Sequence, residues 1–437
     1  MLDVSSESAR QGSHPRRWVL VGGIVFVAIA VTAGWLVRDD AGRTGRETLA
    51  KGKAVAGGDT GWPTDVGPVS MQVDQSLWTG TDVVLIGRDA YKVGSPTQFL
   101  AFTPASTEWS KLPNPPISEP LSGLQAVWTG KAIIVVGVRC SRVLDADSES
   151  GDQQCAPGTL WAGSLDPKTG IWTALDAPPV PRTSPRYAAF GQAIGWDGRR
   201  AVYRIGDDLW AWNPTGWVQL PNIGLGAQLC ISHDRLVAVR SALAGPDVPD
   251  LKADAGRFTT SYLGASDTEW KVLPAVDAPV FLPDGVQMQC SATSVLLSTR
   301  GLDHVWLLDA TDRWQDVPPP ERALAVDPFP VGRSDPSSSV KPIVNFTHFV
   351  WTGREFFWWQ PRRAYEYGDG VQRPAWPGVG LTLDPKTLIW RSTKPGPAGG
   401  EGASRELVWS DGVGYLGLSG MSGTKVAVAE ISATPAR

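Results

Sequence analysis

The sequence predicts an all-β ectodomain, built as a closed ring of seven four-stranded repeats and preceded by one transmembrane helix. Three observations indicate this: an apolar run near the N-terminus, a hairpin-like phrase that recurs seven times, and a tryptophan-bearing phrase that recurs six times. The composition agrees, because the 437 residues include 48 Gly, 36 Pro and 21 Trp and only 19% are charged. Such a protein has many turns and few helix-forming residues. The net charge of −4 gives no indication of the basic surface that nucleic-acid binding requires.

The apolar run covers residues 18–37, which contain no charged side chain. This length crosses about 30 Å of hydrocarbon as a helix. Arg10, Arg16 and Arg17 precede it, so the positive-inside rule places the tail 1–17 in the cytoplasm and the rest outside a cell membrane. The alternative is a cleaved signal peptide, with the small residues of "VTA" (31–33) before the cut and a secreted product. The run is longer than a typical signal-peptide core, which favours an uncleaved anchor.

Four cysteines suit an oxidising, exported location. Cys140 and Cys155 bracket a polar loop that a disulfide would close, and the alternative is two free thiols. Cys230 and Cys290 fall at matching points of neighbouring repeats and form a second possible pair. None of the four has the spacing of a metal site.

The first recurring phrase is a short strand, a tight turn and a mostly apolar strand. Such a pair predicts a β-hairpin whose second strand is buried on both faces. The copies are "LWTGTDVVLIG" (77–87), "VWTGKAIIVVG" (127–137), "GWDGRRAVYRIG" (195–206), "CISHDRLVAV" (230–239), "CSATSVLLST" (290–299), "VWTGREFFWWQ" (350–360) and "VWSDGVGYLGL" (408–418).

The second phrase is a third strand, a turn of Asp, Asn, Pro, Thr or Gly, and a fourth strand with a tryptophan, as in "LWAGSLDPKTGIWTALDAP" (160–178). These turn residues preset φ, bond the nearby backbone or accept positive φ. We expect the tryptophans to pack between repeats and to be structural. They are Trp109, Trp172, Trp217, Trp270, Trp314 and Trp390.

The seventh hairpin is followed by only one more strand, "TKVAVAEIS" (424–432). Its missing fourth strand is predicted at the other end of the domain, in "DTGWPTDVGPVS" (59–70) around Trp62. The stretches near Trp62 and Val428 should therefore pair and close the ring, which leaves no long free edge. The predicted organisation is a tail (1–17), a transmembrane helix (18–37), a linker (38–58) and the ring (59–437).

This pattern resembles the kelch-type β-propeller repeat, in the form also found in galactose-oxidase-like propellers. The resemblance covers 59–437 and implies a seven-bladed β-propeller. The Gly-Gly doublet expected after the second strand is reduced to Gly87, Gly137 and Gly206. Because the third to fifth repeats are irregular, six or eight blades remain open. The sequence lacks the His, Tyr and Cys set that a galactose-oxidase-like copper site needs, so no cofactor is expected.

Alternating strand directions sort the connections onto two faces. The turns between strands one and two, and between strands three and four, share a face and are short. The other face takes the long loops, which are the usual carriers of function on a rigid scaffold. We call these the short-turn face and the long-loop face. The fourth strand starts at the short-turn face, so the linker arrives there and the long-loop face tends to point away from the membrane.

Two long loops carry candidate binding residues, since aromatic rings beside arginines suit stacking on sugars or gripping a protein. The alternative is that these side chains pack the loops onto the ring. The candidates are Arg362, Arg363, Tyr365, Tyr367, Arg373 and Trp376 in 360–380, and Arg182, Arg186 and Tyr187 in 181–191.

Catalytic motifs are not evident in the sequence: the four histidines have no metal-ligand spacing, and no nucleophile elbow or phosphate loop is present. The aspartates of the loops after residues 140 and 240 could bind Ca²⁺ but are more typical of solvated loops. The expected function is a membrane-anchored binding or scaffold module for a protein or cell-envelope glycan. The alternative is an exported glycan-processing hydrolase or lyase with its site at the channel mouth.

Overall fold

The computed structural model describes most of the protein from residue 46 onward, and all described residues belong to one compact unit, 42–437. The described ranges are 46–51, 53–55, 64–89, 95–140, 142–143, 155–156, 159–180, 191–206, 208–224, 227–241, 257–274, 276–277, 286–299, 302, 304–320, 348–360, 365–366, 372–373, 379–393, 403–410, 413–418 and 427–432. Within these ranges no helix has the length and apolar character needed to span a membrane. The predicted transmembrane segment 18–37 lies outside them.

The described strands form seven antiparallel sheets of four or five strands and two short ribbons, numbered here in sequence order. Sheet 1 contains β4 (Gln72–Trp78), β5 (Val83–Arg88), β6 (Gln98–Thr103), β7 (Glu108–Leu112) and β1 (Glu47–Lys51). Sheet 2 contains β8 (Leu121–Trp128), β9 (Ile133–Arg139), β12 (Leu160–Asp166) and β13 (Ile171–Leu175). Sheet 3 contains β14 (Gly191–Trp196), β15 (Ala201–Ile205), β16 (Asp208–Asn213) and β17 (Gly216–Leu220). Sheet 4 contains β18 (Gln228–Ser232), β19 (Arg235–Ser241), β20 (Arg257–Gly264), β21 (Lys271–Val272) and β22 (Val276–Asp277).

The remaining sheets follow the same plan. Sheet 5 contains β23 (Val286–Cys290), β24 (Val295–Thr299), β25 (Val305–Leu308) and β26 (Trp314–Val317). Sheet 6 contains β27 (His348–Trp351), β28 (Phe356–Gln360), β31 (Val379–Asp384) and β32 (Ile389–Ser392). Sheet 7 contains β33 (Ala403–Ser410), β34 (Val413–Leu418), β35 (Ala427–Ser432), β3 (Thr64–Val66) and β2 (Lys53–Val55). The ribbons are β10 (Arg142–Val143) with β11 (Cys155–Ala156), and β29 (Tyr365–Glu366) with β30 (Gln372–Arg373).

The first strand of each sheet contacts the first strand of the next. The contacts run from β4 to β8, β14, β18, β23, β27 and β33, and β33 contacts β4 again. The first strands therefore form a closed inner ring, from which the later strands of each sheet lead outward. Four-stranded antiparallel sheets arranged in this way are the architecture of a β-propeller.

The two ends of the ring domain pair as predicted. β3 lies antiparallel to β35, with Asp65 opposite Val428. The N-terminal stretch thus supplies the fourth strand that sheet 7 lacks. The segment predicted as a linker also contributes strands: β1 pairs with β7 at the edge of sheet 1, and β2 pairs with β3 at the edge of sheet 7.

The core lies in layers between neighbouring sheets. Between sheets 1 and 2 it includes Ile86, Phe99 and Ile133, and every side chain of β5 before Arg88 is buried. The second strands are flanked on both faces by adjacent sheets, which explains their unbroken apolar sequences. The burial predicted for the second strand of each hairpin is confirmed for β5, β9 and β24.

The two faces differ in loop length as predicted. Turns on one face run from two residues (233–234) to six (265–270). On the other face the connections after the second strand include 242–256 and 361–378. These long connections lie largely outside the described residues.

A disulfide joins Cys230 at β18 to Cys290 at β23, which confirms the second predicted pairing and links the inner strands of sheets 4 and 5. Cys140 is also disulfide-bonded. Its predicted partner, Cys155, is described only as backbone in β11, opposite Val143.

Candidate functional site

The short-turn face is occupied by contacts that serve the fold. A Thr or Asp opens each regular hairpin turn and accepts a hydrogen bond from the backbone N–H three residues on. The pairs are Thr79 with Asp82 (3.1 Å), Thr129 with Ala132 (3.1 Å), Asp197 with Arg200 (2.6 Å) and Thr352 with Glu355 (2.8 Å). Side-chain acceptors of this kind fix a tight turn.

Buried charges on the same face are paired. Asp82 binds Arg46 (2.9 Å), Asp197 binds Arg200 (2.8 Å), Glu355 binds Arg391 (2.7 Å), and Asp312 binds Arg235, whose guanidinium also lies over the Tyr262 ring. Each pair joins neighbouring strands or turns, so these groups hold the fold together. A ligand site is better sought on the other face.

The tryptophans of the fourth strands act between sheets, as predicted. Trp172, Trp270 and Trp390 each donate an indole N–H to a proline carbonyl that follows the previous sheet, namely Pro113 (2.9 Å), Pro221 (2.9 Å) and Pro318 (2.8 Å). Trp217 makes the same kind of bond to the Asp176 carbonyl (2.6 Å). Each of these tryptophans therefore forms one contact with the segment that follows the previous sheet.

Arginines end the second strands at the long-loop face. In four consecutive sheets an arginine is the last or next-to-last residue of that strand. They are Arg88 in β5, Arg139 in β9, Arg204 in β15 and Arg240 in β19. Since the second strand lies next to the inner ring, these side chains belong to the region around the entrance of the central channel.

Exposed glutamines accompany them on the inner strands. Gln72 pairs directly with Arg88, and Gln192 pairs directly with Arg204. Gln228 pairs with Val239, the neighbour of Arg240. The three glutamines are exposed although their strands form the inner ring. We call Gln72, Arg88, Arg139, Gln192, Arg204, Gln228 and Arg240 the channel mouth.

Local backbone packing explains how Arg88 reaches its position. A Cβ on Gly87 would lie 1.9 Å from the Gln72 carbonyl oxygen, so only glycine permits this close approach of β5 to β4. Arg88 Nε then donates to Asp74 Oδ2 at 3.1 Å. Both side chains are partly solvent-accessible, and the pair is therefore worth little energetically.

In sheet 2 the Arg139 Nε is buried and makes no hydrogen bond within the described residues. Glu119 lies near enough to feel its charge. Hydrogen bonds from the Glu119 backbone and the Ser118 hydroxyl lower the pKa of Glu119, and the charge of Arg139 adds a smaller effect.

Arg204 and Arg240 converge on the connection 221–227 between sheets 3 and 4. Arg204 Nη1 donates to the Ala227 carbonyl at 2.8 Å. Arg240 Nη1 would lie 3.2 Å from a Cβ on Gly224. Gly224 has φ +86°, and its N–H donates to Asn222 Oδ1 at 2.7 Å. The positive φ favours glycine at this position.

The predicted binding residues fall mostly outside the described residues, and the structure leaves them untested. Tyr365 and Arg373 lie opposite each other in the β29–β30 ribbon, which belongs to the connection after the second strand of sheet 6. The others lie outside the described ranges: Arg362, Arg363, Tyr367, Trp376, Arg182, Arg186 and Tyr187.

Sequence reasoning missed the channel mouth. Its signal was present, because "LIGR", "VGVR", "VYR" and "VAVR" each end a strand phrase with arginine. The apolar residues before each arginine predict a buried strand and do not indicate a binding site. Within the described residues, no three His, Cys, Asp or Glu side chains lie together as metal ligands would.

No protein-family model matches the sequence, and no curated protein matches it. Among solved structures, YCF48 bound to a D1 peptide is 15% identical, with a TM-score of 0.45 over 87% of this protein and 97% of the other. A catalytically inactive virginiamycin B lyase from Staphylococcus aureus with quinupristin is 10% identical, with a TM-score of 0.43 over 89% and 100%. The Cps50 (Swd1) β-propeller domain of Myceliophteria thermophila is 10% identical, with a TM-score of 0.43 over 85% and 100%. At these values the matches carry no information about function.

Proposed function

We propose that the protein is a membrane-anchored, extracytoplasmic β-propeller that binds a protein or a cell-envelope glycan through its long-loop face. The observation that carries this proposal is the channel mouth, where exposed glutamines stand beside arginines at the same end of sheets 1, 3 and 4. Amide and guanidinium groups together offer many hydrogen-bond donors and some acceptors at one entrance.

The proposal includes a seven-bladed, kelch-like propeller. The closed cycle of seven contacting first strands supports the blade count. The indole bonds to the carbonyls of Pro113, Pro221 and Pro318 support the kelch-like repeat. A closed ring of this kind is a rigid frame for variable loops.

The membrane anchor rests on the sequence of residues 18–37 and the arginines before it. If that segment is cleaved as a signal peptide, the propeller is secreted and the binding proposal is unchanged. The loops 360–380 and 181–191, with Arg362, Arg363, Tyr365, Tyr367, Arg373, Trp376, Arg182, Arg186 and Tyr187, are proposed to extend the same binding face.

Location is tested with the full-length protein bearing a C-terminal tag. External protease should remove the tag from intact cells while the N-terminal part stays in the membrane fraction. A tag that is protected until the cells are lysed would contradict an extracytoplasmic propeller.

Binding is tested by capturing cell-envelope material on the full-length protein. The triple variant Gln192→Ala, Gln228→Ala, Arg240→Ala should lose the captured material, because it removes three exposed groups of the channel mouth. The control Lys131→Ala, Arg199→Ala changes exposed charges on the short-turn face and should capture as much as the unmodified protein. Equal capture by all three proteins would place the binding surface elsewhere.

A further inference from the structure

We infer that a second copy of this protein pairs with the outer edge of sheet 2, β13 against β13. The pairing is antiparallel and symmetric, with Thr173 opposite Thr173 of the second copy. This inference goes beyond the proposed function, because β13 is the strand of sheet 2 farthest from the inner ring and the channel mouth. The observation behind it is that β13 has an exposed, uncharged and self-complementary edge.

Sheet 1 shows that a fourth strand of this protein can take a further strand at its edge. β7 and β13 occupy the same place in sheets 1 and 2, and in both a tryptophan is followed three residues later by leucine. β1 pairs antiparallel with β7, where Ser110 is only 3% exposed. The matching residue of β13, Thr173, is exposed. Among the described strands only β12 pairs with β13, so its outer edge is open.

The edge of β13 carries none of the features that keep other strands away. Natural proteins protect an exposed edge with charges, proline or a bulge. β13 reads "IWTAL", and its pairing with β12 is regular. By contrast, Asp316 lies on β26 and Arg391 lies on β32, the outermost strands of sheets 5 and 6. On β13 the side chain of Ile171 is instead 55% exposed, so the edge offers apolar surface as well as backbone groups.

The side chains of β13 complement those of a second β13. With Thr173 on the two-fold axis, Ile171 lies opposite Leu175 of the second copy, and Trp172 lies opposite Ala174 of the second copy. A large ring thus meets a small side chain, and two branched aliphatic side chains meet each other. Cross-strand pairs of this kind stabilise a sheet. In a two-fold interface every such contact occurs twice.

β17, the outermost strand of sheet 3, is also uncharged but fits itself less well. It reads "GWVQL", and Val218 is 48% exposed. An antiparallel pair centred on Val218 places Trp217 opposite Gln219 and Gly216 opposite Leu220. The glycine leaves the leucine without a side chain to contact. β17 is therefore the matched control for β13.

Charges beyond the two ends of β13 favour a second copy over a different protein. Lys168 lies in the turn before β13, Asp176 follows β13, and both are exposed. The symmetric register places Gly170 opposite Asp176 of the second copy, which the long side chain of Lys168 can reach. The Lys168 amine forms no ion pair among the described contacts. Asp166 of the same turn accepts the Lys168 backbone N–H at 2.8 Å and so serves the turn itself.

Cysteine cross-linking of the full-length protein in neutral detergent micelles tests the inference, with copper(II)–phenanthroline as the oxidant. Thr173→Cys should form a disulfide-linked dimer about tenfold faster than Val218→Cys, because only the first cysteine is held beside its own copy. Ile171→Cys should also react slowly, since its neighbour across the interface is Leu175. The unmodified protein should remain without a cross-link.

A charge exchange tests the partner. In the Thr173→Cys protein, Lys168→Glu should slow the cross-link about two- to fivefold, as expected for loss of a solvent-exposed ion pair. Adding Asp176→Lys should restore the rate, because the pair is then reversed. Lys386→Glu changes the equivalent turn of sheet 6 and should leave the rate unchanged. Equal urea midpoints for these surface variants would show that the fold is intact.

Three outcomes would overturn the inference. Cross-linking of Thr173→Cys no faster than that of Val218→Cys shows that β13 does not meet its own copy. An equal effect of Lys168→Glu and Lys386→Glu, or no rescue by Asp176→Lys, shows that the copies do not pair in this register. A Thr173→Cys cross-link in cells to a different protein, with no dimer of this one, assigns the edge to another partner. The binding proposed for the channel mouth stands in each case.

Discussion

At the scale of single residues, the clearest regularity is the indole-to-carbonyl bond between neighbouring sheets. Trp172 in sheet 2 and Trp390 in sheet 6 lie in distant parts of the ring yet make the same contact with a proline carbonyl. The tryptophan buries part of its aromatic ring and also donates a hydrogen bond to a backbone carbonyl that lies beyond the end of its own sheet. A tryptophan is the aromatic residue that supplies both.

Replacing Trp217 by Phe tests the hydrogen bond apart from the ring. The change keeps an aromatic side chain but removes the N–H that donates to Asp176, so we expect a loss of about 1 kcal/mol in the free energy of unfolding. Trp212 lies directly opposite on β16 and makes no indole bond within the described contacts, so Trp212→Phe is the matched control. Urea unfolding in which the two variants are equally destabilised would contradict the role of the bond.

The buried side chain of Tyr203 leads us to expect that the folded protein loses stability at alkaline pH. Its side chain is fully buried, its hydroxyl donates to the Ile134 carbonyl at 2.8 Å, and burial raises its pKa well above the usual value of 10.0. The folded state keeps the proton that the unfolded state releases. The stabilisation is therefore complete below pH 10 and is lost as the pH rises toward the folded-state value, by about 1.4 kcal/mol per pH unit.

The comparison is with Tyr203→Phe, followed by urea unfolding from pH 8 to 11. The variant should be less stable by about 1 kcal/mol near neutrality, because a buried hydrogen bond is lost. Its stability should fall less steeply above pH 10, since the titrating group is absent. Parallel curves for the two proteins would show that another group causes the alkaline loss.

Sequence reasoning at this scale succeeded where residues recur and failed where they do not. The tryptophans repeat with their turns, so their structural role could be predicted. Arg204 and Arg240 lie near the ends of strands in two different sheets. Only strand pairing brings both to the same connection, and the local sequence around each does not indicate this. The loop residues Arg362 and Trp376 carry no periodic pattern that fixes their position.

At the scale of elements, the N-terminal segment is a set of edge strands. β1 extends sheet 1 and β2 extends sheet 7, with only residue 52 between them. Arg46, just before β1, binds Asp82 and also donates to Ser110 (2.8 Å) and Thr103 (2.9 Å). In sheet 6 the position after Trp390 is Arg391, which binds Glu355. In sheet 1 the residue after Trp109 is Ser110. The arginine that binds the turn carboxylate there is Arg46, from the N-terminal segment.

Arg46→Ala should release β1. The change leaves the buried Asp82 carboxylate without its cation, and we expect a loss of about 2 kcal/mol in local stability. Hydrogen exchange should accelerate in β7, the strand that β1 covers, while β13 of sheet 2 keeps its rate. Arg199→Ala is the control for an exposed arginine, and unchanged exchange in β7 would show that Arg46 does not hold the strand.

The sequence predicted hairpins well because turn residues and buried second strands give strong signals. It predicted a linker over 38–58, where the structure has the short strands β1, "ETLAK", and β2, "KAV". Edge strands need only backbone partners on one side, so their side-chain pattern is weak. Their presence follows from the free edges of sheets 1 and 7 and not from local propensity.

At the scale of the whole molecule, the ring depends on pairing between the two ends of the domain. β35 lies between β34 and β3, so Val428 faces Gly417 on one side and Asp65 on the other. Sheets 2 to 6 are each built from strands that follow one another in the sequence. Among the described sheets, sheet 7 alone joins the two ends of the domain, and its pairing completes the contacts of the inner ring.

Val428→Pro should open this closure. Proline removes a ladder hydrogen bond in a strand flanked on both sides and leaves the facing carbonyl without its donor, at a cost of about 1–3 kcal/mol. We expect a lower midpoint for the unfolding of the entire domain, measured by denaturant titration of tryptophan fluorescence. Val218→Pro changes an outermost strand and should have the smaller effect. If Val218→Pro lowers the midpoint as far as Val428→Pro, the end-to-end pairing has no special role in holding the ring.

The course of β1, β2 and β3 also determines how the domain responds to a mechanical pull. Tension applied through residue 46 reaches the ladder of sheet 1 first, and sheet 7 lies only a few residues further along the sequence. The strands that close the ring are therefore the strands that bear this force. A force transmitted from the N-terminal side must first detach them one after another.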